Sequence, residues 1–465
     1  MPENASPTGR TGSVCLRPYQ LDAIDRVRIC IRGGVRRVLI VLPTGGGKTL
    51  IASHIIASAV GRGSRVLFLA HRRELVNQAY RKLLDQGLAA AQVGVLMASD
   101  PRRRPAAPVQ VASVDTIRNR AKPAAEIVFV DEAHRATAKS YQNVAAEYPK
   151  AIHLGLTATP YRADGKGLRD AYDDLVVVAS PRQLIAEGFL VEPRVFTVPD
   201  SALPDLSGVR MKGGDYDEGA LAEAVDRSSL VGNIVEHWQR HAQGLRTVVF
   251  AVSVAHSQHI AERFRQAGVA AEHLDGTTPL AERDAVLGRL EAGTTQVVSN
   301  CGVLCEGWDQ PAVKCAVLAR PTKSAGLFLQ QAGRILRPWN NTRAIILDHG
   351  GCALEHGLPQ DDREFSLEAA TKRRGKKGAA APATKICPEC FAVLAPATRV
   401  CPECGCTLHV PELPQERAGH LVEVTPAAPE PITVRRVQTV LRDTLSGGGT
   451  LTWGQFDRPE RRARP

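Results

Sequence analysis

The sequence lacks several features that would place the protein in a membrane or outside the cell. No run reaches the about 18 uninterrupted apolar residues that a membrane-spanning helix requires. The first residues, MPENASPTGR, contain no apolar signal core. The 11 cysteines do not form the pattern of a disulfide framework, because four are clustered near the C-terminus and the others are scattered along a long chain. We therefore expect a cytoplasmic protein that has no membrane partner and whose clustered cysteines bind a metal.

The size and the charge of the chain indicate its broad class. With 465 residues, of which 44% are hydrophobic, the chain can bury large cores, and its length suggests about three domains. The net charge of +11 and the isoelectric point near 9.2 favour a polyanionic partner. Charge alone leaves DNA, RNA and a membrane surface open, and a generally basic proteome would produce the same value.

The stretch VLPTGGGKTLIA, residues 41–52, places three glycines between a β-branched apolar run and the start of a helical pattern. The backbone N–H groups of such a loop, together with the helix N-terminus, attract phosphate. The pattern predicts that Lys48 reaches the β and γ phosphates of ATP and that Thr49 binds Mg²⁺. The strict phosphate-loop pattern has a glycine where Leu42 stands, so an ordinary surface turn is the alternative. The predicted nucleotide-binding residues of the loop are Thr44, Gly45, Gly46, Gly47, Lys48 and Thr49.

Strand-like and helix-like segments alternate after this loop. The apolar runs RVLFLAH, PVQVASV, EIVFVDEAH and AIHLGLTATP end in polar residues, which is typical of a doubly wound parallel sheet with its ligands at the carboxyl ends of the strands. The pattern loosens between Tyr161 and Asp226 and then resumes as a second unit, which has no glycine loop with lysine of its own. We therefore expect an α/β protein in which two similar sheets clamp one ATP.

Two polar pairs are candidates for the chemistry. Asp131 and Glu132 end the run VFVDEAH, which predicts that Asp131 holds Mg²⁺ and that Glu132 orients and deprotonates the attacking water. In the second unit, Arg334 and Arg337 lie three positions apart, on one helix face, from which they would reach the γ-phosphate as arginine fingers. A solvated loop and a solvated helix face are the ordinary alternatives.

Seven motifs occur in a fixed order: LRPYQ, PTGGGKT, LAHRRELVNQ, VDEAH, LTATP, GVLCEGWDQP and QQAGRILRP. From about residue 14 to residue 350 the chain thereby resembles the superfamily 2 helicases, in which the first loop glycine is commonly replaced. The resemblance implies two tandem RecA-like domains and an ATPase that acts on nucleic acid.

The resemblance also implies roles for individual residues. Arg17 and Gln20 would contact adenine, and Gly307 and Asp309 would sense the nucleotide from the second domain. The implied catalytic residues are Lys48, Asp131, Glu132, Gln330, Arg334 and Arg337, with Gln330 helping to close the cleft. The implied coupling residues are His134, Thr157 and Thr159, and the implied nucleic-acid path includes His71, Arg72, Arg73 and Ser113.

The stretch CPECFAVLAPATRVCPEC contains two C-x₂-C knuckles, Cys387 with Cys390 and Cys401 with Cys404. Thiolates at this spacing suit tetrahedral Zn²⁺, whose binding would fold a module too small to have its own core. The nearby Cys406 could replace one of the ligands, and free or redox cysteines are the alternative to a metal site. Four thiolates leave no open coordination position, so we expect the module to position a substrate or a partner.

A helicase-like core followed by a basic stretch and a four-cysteine module resembles the bacterial RadD family and related prophage helicases, which implies a role in DNA repair. The motifs LRPYQ and TATPYR belong to this resemblance, whereas the tail after the cysteines is short here. The expected organisation is a first RecA-like ATP-binding domain at 1–185, a connecting region at 186–230, a second RecA-like domain at 231–352, a basic linker at 353–385, a zinc ribbon at 386–408 and a disordered tail at 409–465.

The leading prediction is an ATP-dependent DNA helicase or translocase with ATP, Mg²⁺ and Zn²⁺ as cofactors. Its expected partner is single-stranded or branched DNA, with RNA or a repair protein as further candidates. An RNA helicase and a restriction-system motor subunit are alternatives, although no acidic-lysine nuclease pattern follows the motor. A third alternative is a zinc-dependent nucleic-acid-binding clamp that does not hydrolyse ATP. Such a protein would be expected to lack a catalytic residue, whereas Lys48, Glu132 and Arg337 are all present.

Overall fold

The computed structural model describes residues 15–160, 167–198, 203–226, 230–368 and 384–408. The predicted tail at 409–465 and residues 369–383 of the predicted linker lie outside these ranges. No helix in the described ranges combines the length and the apolar character that crossing a membrane requires.

The first lobe, residues 15–190, is built on a sheet of seven parallel strands in the order β3-β4-β2-β5-β6-β1-β7. The strands are β1 (Arg37–Val41), β2 (Val66–Ala70), β3 (Val93–Leu96), β4 (Val109–Ser113), β5 (Ile127–Asp131), β6 (Ile152–Thr157) and β7 (Asp174–Val177). Alternate residues of β1 enter different hydrophobic cores, Val38 one and Leu39 the other. Both faces of the sheet are therefore covered, as expected for a parallel sheet.

Helices connect these strands. They are α1 (Pro18–Arg32), α2 (Lys48–Val60), α3 (Arg73–Asp85), α4 (Val114–Ile117), α5 (Lys139–Ala146) and α6 (Pro181–Ala186). Short 3₁₀ turns lie at Ala90–Gln92 and Ala133–Arg135. Because α2 begins at Lys48, directly after the glycine loop, its N-terminus points its free N–H groups toward that loop.

The second lobe, residues 191–356, contains a six-stranded parallel sheet in the order β12-β13-β11-β14-β15-β8. Its strands are β8 (Pro193–Thr197), β11 (Thr247–Phe250), β12 (Ala271–Leu274), β13 (Val297–Asn300), β14 (Cys315–Leu318) and β15 (Ala344–Asp348), and a separate antiparallel hairpin consists of β9 (Met211–Lys212) and β10 (Asp215–Tyr216). Its helices are α7 (Glu218–Asp226), α8 (Leu230–Ala242), α9 (Val254–Gln266), α10 (Leu280–Ala292), α11 (Ala325–Gly333) and α12 (Cys352–His356).

The two parallel sheets confirm the predicted fold class, tandem RecA-like α/β lobes followed by a four-cysteine module. The second sheet includes a strand from the interval that the sequence assigns to a connecting region, because β8 pairs with β15. The hydroxyl of Thr197 on β8 donates to the carbonyl of Asp348, 151 positions along the chain, at 3.0 Å. A short edge strand has no local pattern that identifies so distant a partner. The exact domain boundaries stay predictions.

Residues 357–368, which we name the strap, run from the second lobe back to the first. The backbone N–H of Leu168 donates to the carbonyl of Leu367 at 2.8 Å. Leu367 is buried in a core of the first lobe together with Tyr172. The sequence assigned residues 353–385 to a basic linker, whereas the strap is anchored on the first lobe by Leu367, by Phe365 and by an ion pair between Glu368 and Arg169 at 2.7 Å.

The four-cysteine module is docked on the edge of the second sheet. Its strands are β16 (Lys385–Ile386) and β17 (Val393–Leu394), which pair antiparallel. The N–H of Thr197 on β8 donates to the carbonyl of Phe391 at 3.1 Å. Leu394 packs in one hydrophobic core with Trp238 of α8. The module therefore uses the core of the second lobe in place of a core of its own.

Candidate active site

The glycine loop, residues 44–47, has a conformation that depends on its glycines. Gly45 and Gly47 have φ angles of 88° and 91°, in the left-handed region that side chains disfavour. A Cβ atom at Gly46 would collide with the side chain of Leu42 at 2.7 Å. Leu42, the departure from the strict phosphate-loop pattern, thus fills the space beside Gly46.

Helix α1 holds the glycine loop through two side chains. The side-chain amide of Gln20 and the hydroxyl of Tyr19 both donate to the carbonyl of Gly46, at 3.0 and 2.8 Å. The guanidinium of Arg17 lies 4.2 Å from the centre of the Phe189 ring. Gln20 and Arg17 thus lie beside the loop, and their contact with adenine stays a prediction. Sequence analysis missed Phe189 because it follows α6 as a single aromatic residue without a motif.

Lys48 shares a buried site with the two carboxylates. Its ammonium donates to the carbonyl of Leu42 at 3.2 Å. Burial lowers the pKa of Lys48, while the charges of Glu132 and Asp131 act in the opposite direction. The three side chains are therefore close enough to share the charge of a phosphate and its counterion. Thr49 follows Lys48 in the first turn of α2.

The acidic pair lies at the end of β5, where Asp131 and Glu132 are 5% and 7% exposed. Burial, followed by the charge of Glu132, raises the pKa of Asp131 to about 7. Burial also opposes the charged form of Glu132, but the contact with His134 and the charge of Lys48 lower its pKa. A divalent cation at Asp131 would favour the charged carboxylate, so the donor set fits Mg²⁺. Glu132 itself has a φ of 50°, a strained backbone conformation that is common at functional sites.

Helix α11 of the second lobe packs against the first lobe at this site. The side-chain amide of Gln330 donates to Glu132 at 3.3 Å. A Cβ atom at Gly333 would collide with Thr44 of the glycine loop, and one at Gly326 would lie 3.1 Å from the hydroxyl of Thr159. Small residues on α11 therefore permit the close approach of the two lobes.

Arg337 reaches the glycine loop from the second lobe. Its Cγ and Nε lie 3.4 and 3.7 Å from the position of a Cβ atom on Gly45. Its guanidinium forms an ion pair with Asp309. The charges of Arg337 and Arg334 both act on Lys48 and help to lower its pKa. The structure thus places Arg337 at the phosphate loop, and the catalytic role of both arginines stays a prediction.

Arg334 is held by backbone carbonyl groups. Its Nε and Nη2 donate to the carbonyl of Cys305 at 3.1 and 2.6 Å, and its Nη1 donates to the carbonyl of Trp308. The side chain is buried, so these hydrogen bonds replace water around the guanidinium. Residues 302–309 therefore determine where this charge lies.

Lys314 is a positioning residue that sequence analysis missed. It is 1% exposed, and its ammonium donates to the carbonyls of Ile335 and Arg337 at 2.9 and 2.5 Å. Burial lowers the pKa of Lys314 to about 8. The lysine thus ties the end of the arginine segment to β14. A lysine next to a predicted strand has no motif that would indicate this role.

Gly307 and Asp309, the predicted nucleotide sensors, contact protein groups in this structure. A Cβ atom at Gly307 would lie 3.2 Å from the Cβ of Glu74 in the first lobe. Asp309 pairs with Arg337. Both residues thus lie where the lobes meet, and their contact with the nucleotide stays a prediction.

Glu306 connects the lobes beside the acidic pair, and sequence analysis missed it. Its carboxylate lies 2.6 Å from Nε2 of His71, 3.6 Å from Arg72 and 3.3 Å from Arg135, all in the first lobe. Burial opposes the charge of Glu306, but His71 and Arg135 hold its pKa well below the ordinary value. A carboxylate from one lobe therefore pairs with Arg72 and Arg135 and contacts His71 on the other lobe.

The four cysteines of the ribbon form a compact group. The Sγ atoms of Cys387 and Cys404, and those of Cys390 and Cys401, are 3.6 Å apart, and all four sulfur atoms lie within 4.8 Å of one another. Four sulfur atoms around a tetrahedral zinc at about 2.3 Å would lie about 3.8 Å apart. Cys406 is not in the group, and its thiol donates to the carbonyl of Thr407. The donor set fits zinc in the predicted ligand choice, and the bound ion stays a prediction.

We expect Cys387→Ser to remove most of the zinc and to lower the melting temperature of the second lobe. Cys387 is fully buried in the core that the ribbon shares with Trp238. Loss of a structural metal should lower the melting temperature by roughly 5–10 °C, since each kcal/mol lost shifts a lobe of this size by about 2–4 °C. Elemental analysis and calorimetry measure both effects. Cys406→Ser is the matched control and should keep its zinc, and an unchanged zinc content in Cys387→Ser would refute the ligand assignment.

Two lobes that meet at a phosphate loop, with Arg337 of the second lobe against Gly45 of the first, define an ATP-hydrolysing nucleic-acid motor. Residues 13–162 match the family described as type III restriction enzyme, res subunit, and residues 228–338 match the helicase conserved C-terminal domain. The chain belongs to the superfamily 2 helicases, as its motif series predicts. The particular resemblance to the RadD family stays a prediction.

The chain is similar to several individual proteins. The 51.5 kDa protein of a Lactococcus phage (isolate 7-9) is 33% identical over 353 residues, which are 76% of this chain and 74% of that protein. The putative ATP-dependent helicase IRC3 of Saccharomyces cerevisiae is 31% identical over 342 residues, 69% of this chain and 49% of that protein. Among solved structures, the ATP-dependent Type ISP restriction-modification enzyme LlaBIII bound to DNA has a TM-score of 0.56 at 19% identity, over 72% of this chain and 28% of that chain. That likeness shows the fold alone, and this chain spans about half of the yeast helicase.

Proposed function

We propose that the protein is an ATP-dependent DNA helicase or translocase whose ATP hydrolysis is stimulated by DNA. The observation that carries the proposal is the position of Arg337 of the second lobe against Gly45 of the first. A phosphate site completed by both lobes depends on their closure. A polymer that binds across both lobes can therefore control hydrolysis.

The proposed roles follow from the charges at the site. The loop N–H groups and Lys48 hold the phosphates, and Arg334 and Arg337 stabilise the charge that develops on the γ-phosphate. Glu132 orients the attacking water and accepts its proton. Such a reaction relies on positioning and charge neutralisation.

Mg²⁺ is the proposed counterion of the phosphates. Thr49 and Asp131 would hold it, because a hydroxyl and a carboxylate are the oxygen ligands that this ion uses in phosphate sites. When bound, it would neutralise phosphate charge. His134 and Lys48 lower the pKa of Glu132, which favours the charged carboxylate that accepts a proton from the water.

DNA is the proposed polymer. The net charge of +11 suits a polyanion. His71, Arg72 and Arg135 lie together at the carboxyl edge of the first sheet, where ligands of such sheets bind. The restriction enzyme that shares the fold was solved bound to DNA. These observations support a DNA strand that crosses the carboxyl edge of the first sheet.

The direct test is ATP turnover without nucleic acid and with single-stranded DNA, forked DNA and RNA. We expect single-stranded or forked DNA to raise turnover at least about 10-fold, because only closed lobes complete the phosphate site. Equal rates with and without DNA would exclude the motor function. Stronger stimulation by RNA would favour the RNA helicase alternative.

A restriction motor subunit is the second candidate, supported by the matched res-subunit family and by the shared fold. A motor of this kind would work in complex with other subunits. DNA-stimulated turnover by the isolated chain on DNA of any sequence supports the autonomous helicase.

We place the activity in DNA repair or recombination on the strength of the resemblance to the RadD family. Cells that lack the protein should then survive DNA damage less well than their parent strain, and re-expression should restore survival. Re-expression of the Lys48→Ala variant should not restore survival. Equal survival of the deletion strain and its parent would remove this part of the proposal.

We expect Glu306→Gln to raise the affinity for single-stranded DNA by about 3- to 10-fold at low salt and to steepen its salt dependence by about one unit of slope. The reason is that His71, Arg72 and Arg135 lose the internal carboxylate that occupies them. Glutamine keeps the volume of the side chain. Fluorescence anisotropy over a series of salt concentrations measures both quantities.

The matched control is Glu74→Gln, which removes a different contact between the lobes, the 2.6 Å ion pair with Arg283. That variant should keep the affinity and the slope of the unaltered protein. Equal affinities for the Glu306 variant and the control would show that these cations do not bind the strand.

A further inference from the structure

A cavity of about 210 Å³ lies where the four-cysteine module docks on the second lobe. It is at the carboxyl ends of β8 and β15, and ligands of parallel sheets bind at this kind of edge. The residues that line it include Phe196 and Thr197 of β8, His237 and His241 of α8, His349 after β15 and Phe391 of the module. None of these residues belongs to the seven helicase motifs.

Five of the lining side chains carry a planar aromatic ring. The ring of His241 stacks on that of Phe196 with 4.1 Å between the centroids, and the ring of His237 stacks on that of His349 at 5.1 Å. Phe391 contributes the fifth ring from the module. A cavity of about 150 Å³ in a protein core is large enough to bind benzene, so this cavity has room for one planar ligand.

One buried polar atom of this cavity has no hydrogen-bond partner among the described residues. It is Nδ1 of His349, a residue that is 3% exposed. The neighbouring polar groups are satisfied, because the carboxylate of Asp348 accepts from the N–H groups of Cys352 and Ala353 at 3.0 and 2.7 Å, and the hydroxyl of Thr197 donates to the carbonyl of Asp348. Buried polar groups in folded proteins almost always have a partner. The unpaired nitrogen therefore indicates a ligand that carries a hydrogen-bonding group.

The histidines of the cavity suit a neutral planar ligand better than a metal ion. His237 and His241 are four positions apart on α8, a spacing that can hold zinc on one helix face. Within the part of the chain that the structure describes, however, only the four cysteines bring three or more donor atoms close enough together for an ion. Burial lowers the pKa of His241 to about 4 and that of His349 to about 3, so both rings are neutral at pH 7. Neutral aromatic rings stack on nucleobases and hydrogen-bond to their edges.

The charge of the cavity distinguishes a base within a strand from a free nucleotide. Among the described residues, no lysine or arginine lines the cavity. A free nucleotide would need a cation for its own phosphate group. The phosphates of a strand, by contrast, are bound elsewhere on the protein surface and bring each base with them. The lining therefore favours a base that belongs to a strand.

We propose that this cavity binds one unstacked nucleobase of the DNA strand, which stacks on the rings of Phe391 and His241 and hydrogen-bonds to His349. The module contributes one wall of the site, and its position is fixed because the N–H of Thr197 donates to the carbonyl of Phe391 at 3.1 Å. The site is complete on the second lobe and its module, so base binding does not depend on closure of the lobes. The module thereby acquires a specific substrate-positioning role. This inference rests on the proposed function.

The first test compares Phe391→Leu with Trp339→Leu in the full chain. Phe391→Leu removes one ring from the cavity and should weaken binding of oligo(dT) by about 5- to 20-fold, the lower part of the range for a base stacked on one aromatic side chain. The salt slope should stay the same, since it counts phosphate contacts and not bases. Trp339→Leu removes a ring that is 39% exposed elsewhere on the second lobe, and this control should bind oligo(dT) normally.

Two further probes identify the bound group. An abasic deoxyribose-phosphate oligomer of the same length has no bases, so the unaltered protein and Phe391→Leu should bind it equally well. The nucleotide dTMP, added with a saturating non-hydrolysable ATP analogue, tests the free-nucleotide source of a base. We expect dTMP to bind no more weakly to Phe391→Leu than to the unaltered protein, because the cavity offers no cation to its phosphate.

The second test changes the wall on α8 and so leaves the zinc knuckle beside Phe391 untouched. His241→Leu keeps an apolar side chain against Phe196 but removes a ring on which the base stacks, and it should weaken oligo(dT) binding by about 5-fold. His259→Leu, at an exposed histidine of α9, is the matched control and should bind normally. The zinc content and the melting temperature of both cavity variants should equal those of the unaltered protein. If Phe391→Leu loses zinc, His241→Leu decides the test.

The outcomes separate this inference from the proposed function. If no DNA stimulates ATP turnover by the unaltered protein, the proposed function fails. If DNA stimulates turnover but Phe391→Leu and His241→Leu bind oligo(dT) as their controls do, the base site alone is refuted. An equal loss of affinity for the abasic oligomer would also overturn the base site, because the ring would then support phosphate contacts. Loss of dTMP binding in Phe391→Leu with unchanged affinity for oligo(dT) would overturn the strand as the source of the base.

Discussion

Arg337→Ala should reduce DNA-stimulated ATP turnover by about 10³-fold or more, the range known for arginine fingers. The guanidinium lies against Gly45 of the glycine loop, where it can reach a γ-phosphate. Since an arginine finger stabilises the charge of the transition state more than that of bound ATP, kcat should fall far more than the affinity for ATP. Steady-state turnover and binding of a non-hydrolysable ATP analogue measure the two quantities separately.

Two further variants make this test specific. Arg337→Lys keeps the charge but loses the rigid planar donor, so it should recover only part of the rate. Arg343→Ala removes an exposed arginine that precedes β15, and it should be as active as the unaltered protein. Normal turnover of Arg337→Ala would show that the second lobe does not complete the phosphate site.

Lys48→Ala should reduce ATP turnover by about 10²- to 10³-fold, comparable to the loss of one preorganised donor at a developing negative charge. The charge of Lys48 also acts on both Asp131 and Glu132, so its removal takes a favourable counter-charge from the acidic pair. We therefore expect weaker ATP binding as well. Titration with a fluorescent ATP analogue and the turnover assay measure these effects.

Lys122→Ala is the matched control for Lys48→Ala. Lys122 is a partly exposed lysine of the same lobe that donates to the carbonyl of Arg118. The Lys122→Ala variant should have the same turnover and the same ATP affinity as the unaltered protein. If Lys48→Ala retained full turnover while its folding was intact, the nucleotide site would have to lie elsewhere.

The alternation of buried strands and helices was predictable because each pattern is local. The apolar, β-branched residues of Arg37–Val41 are enough to predict a buried strand. The glycines at 45–47 are enough to predict a loop with an unusual backbone conformation. The order of the motifs then places Lys48, Asp131 and Arg337 on the two lobes. Both parallel sheets were found as expected.

Contacts between residues far apart along the chain were not predictable. Glu306 lies 235 positions from His71, and neither residue has a pattern that indicates the other. Lys314 and Phe189 look like ordinary residues of a strand end and a loop, and their importance follows only from what packs against them. The hairpin has two residues in each strand, too few for a periodic pattern.

From its residues alone the chain specifies an ATP-dependent motor with two similar sheets, one phosphate loop and a four-cysteine module, since each of these features is encoded within a short stretch. Folding in three dimensions adds β8 to the second sheet, leads the strap back to Leu168, docks the ribbon on Thr197 and places Glu306 beside Arg72 and Arg135 of the first lobe. A buried apolar surface or a buried charge is stabilised by the complementary group that the completed fold brings beside it. Because such groups come from distant parts of the chain, no short stretch of sequence indicates these arrangements.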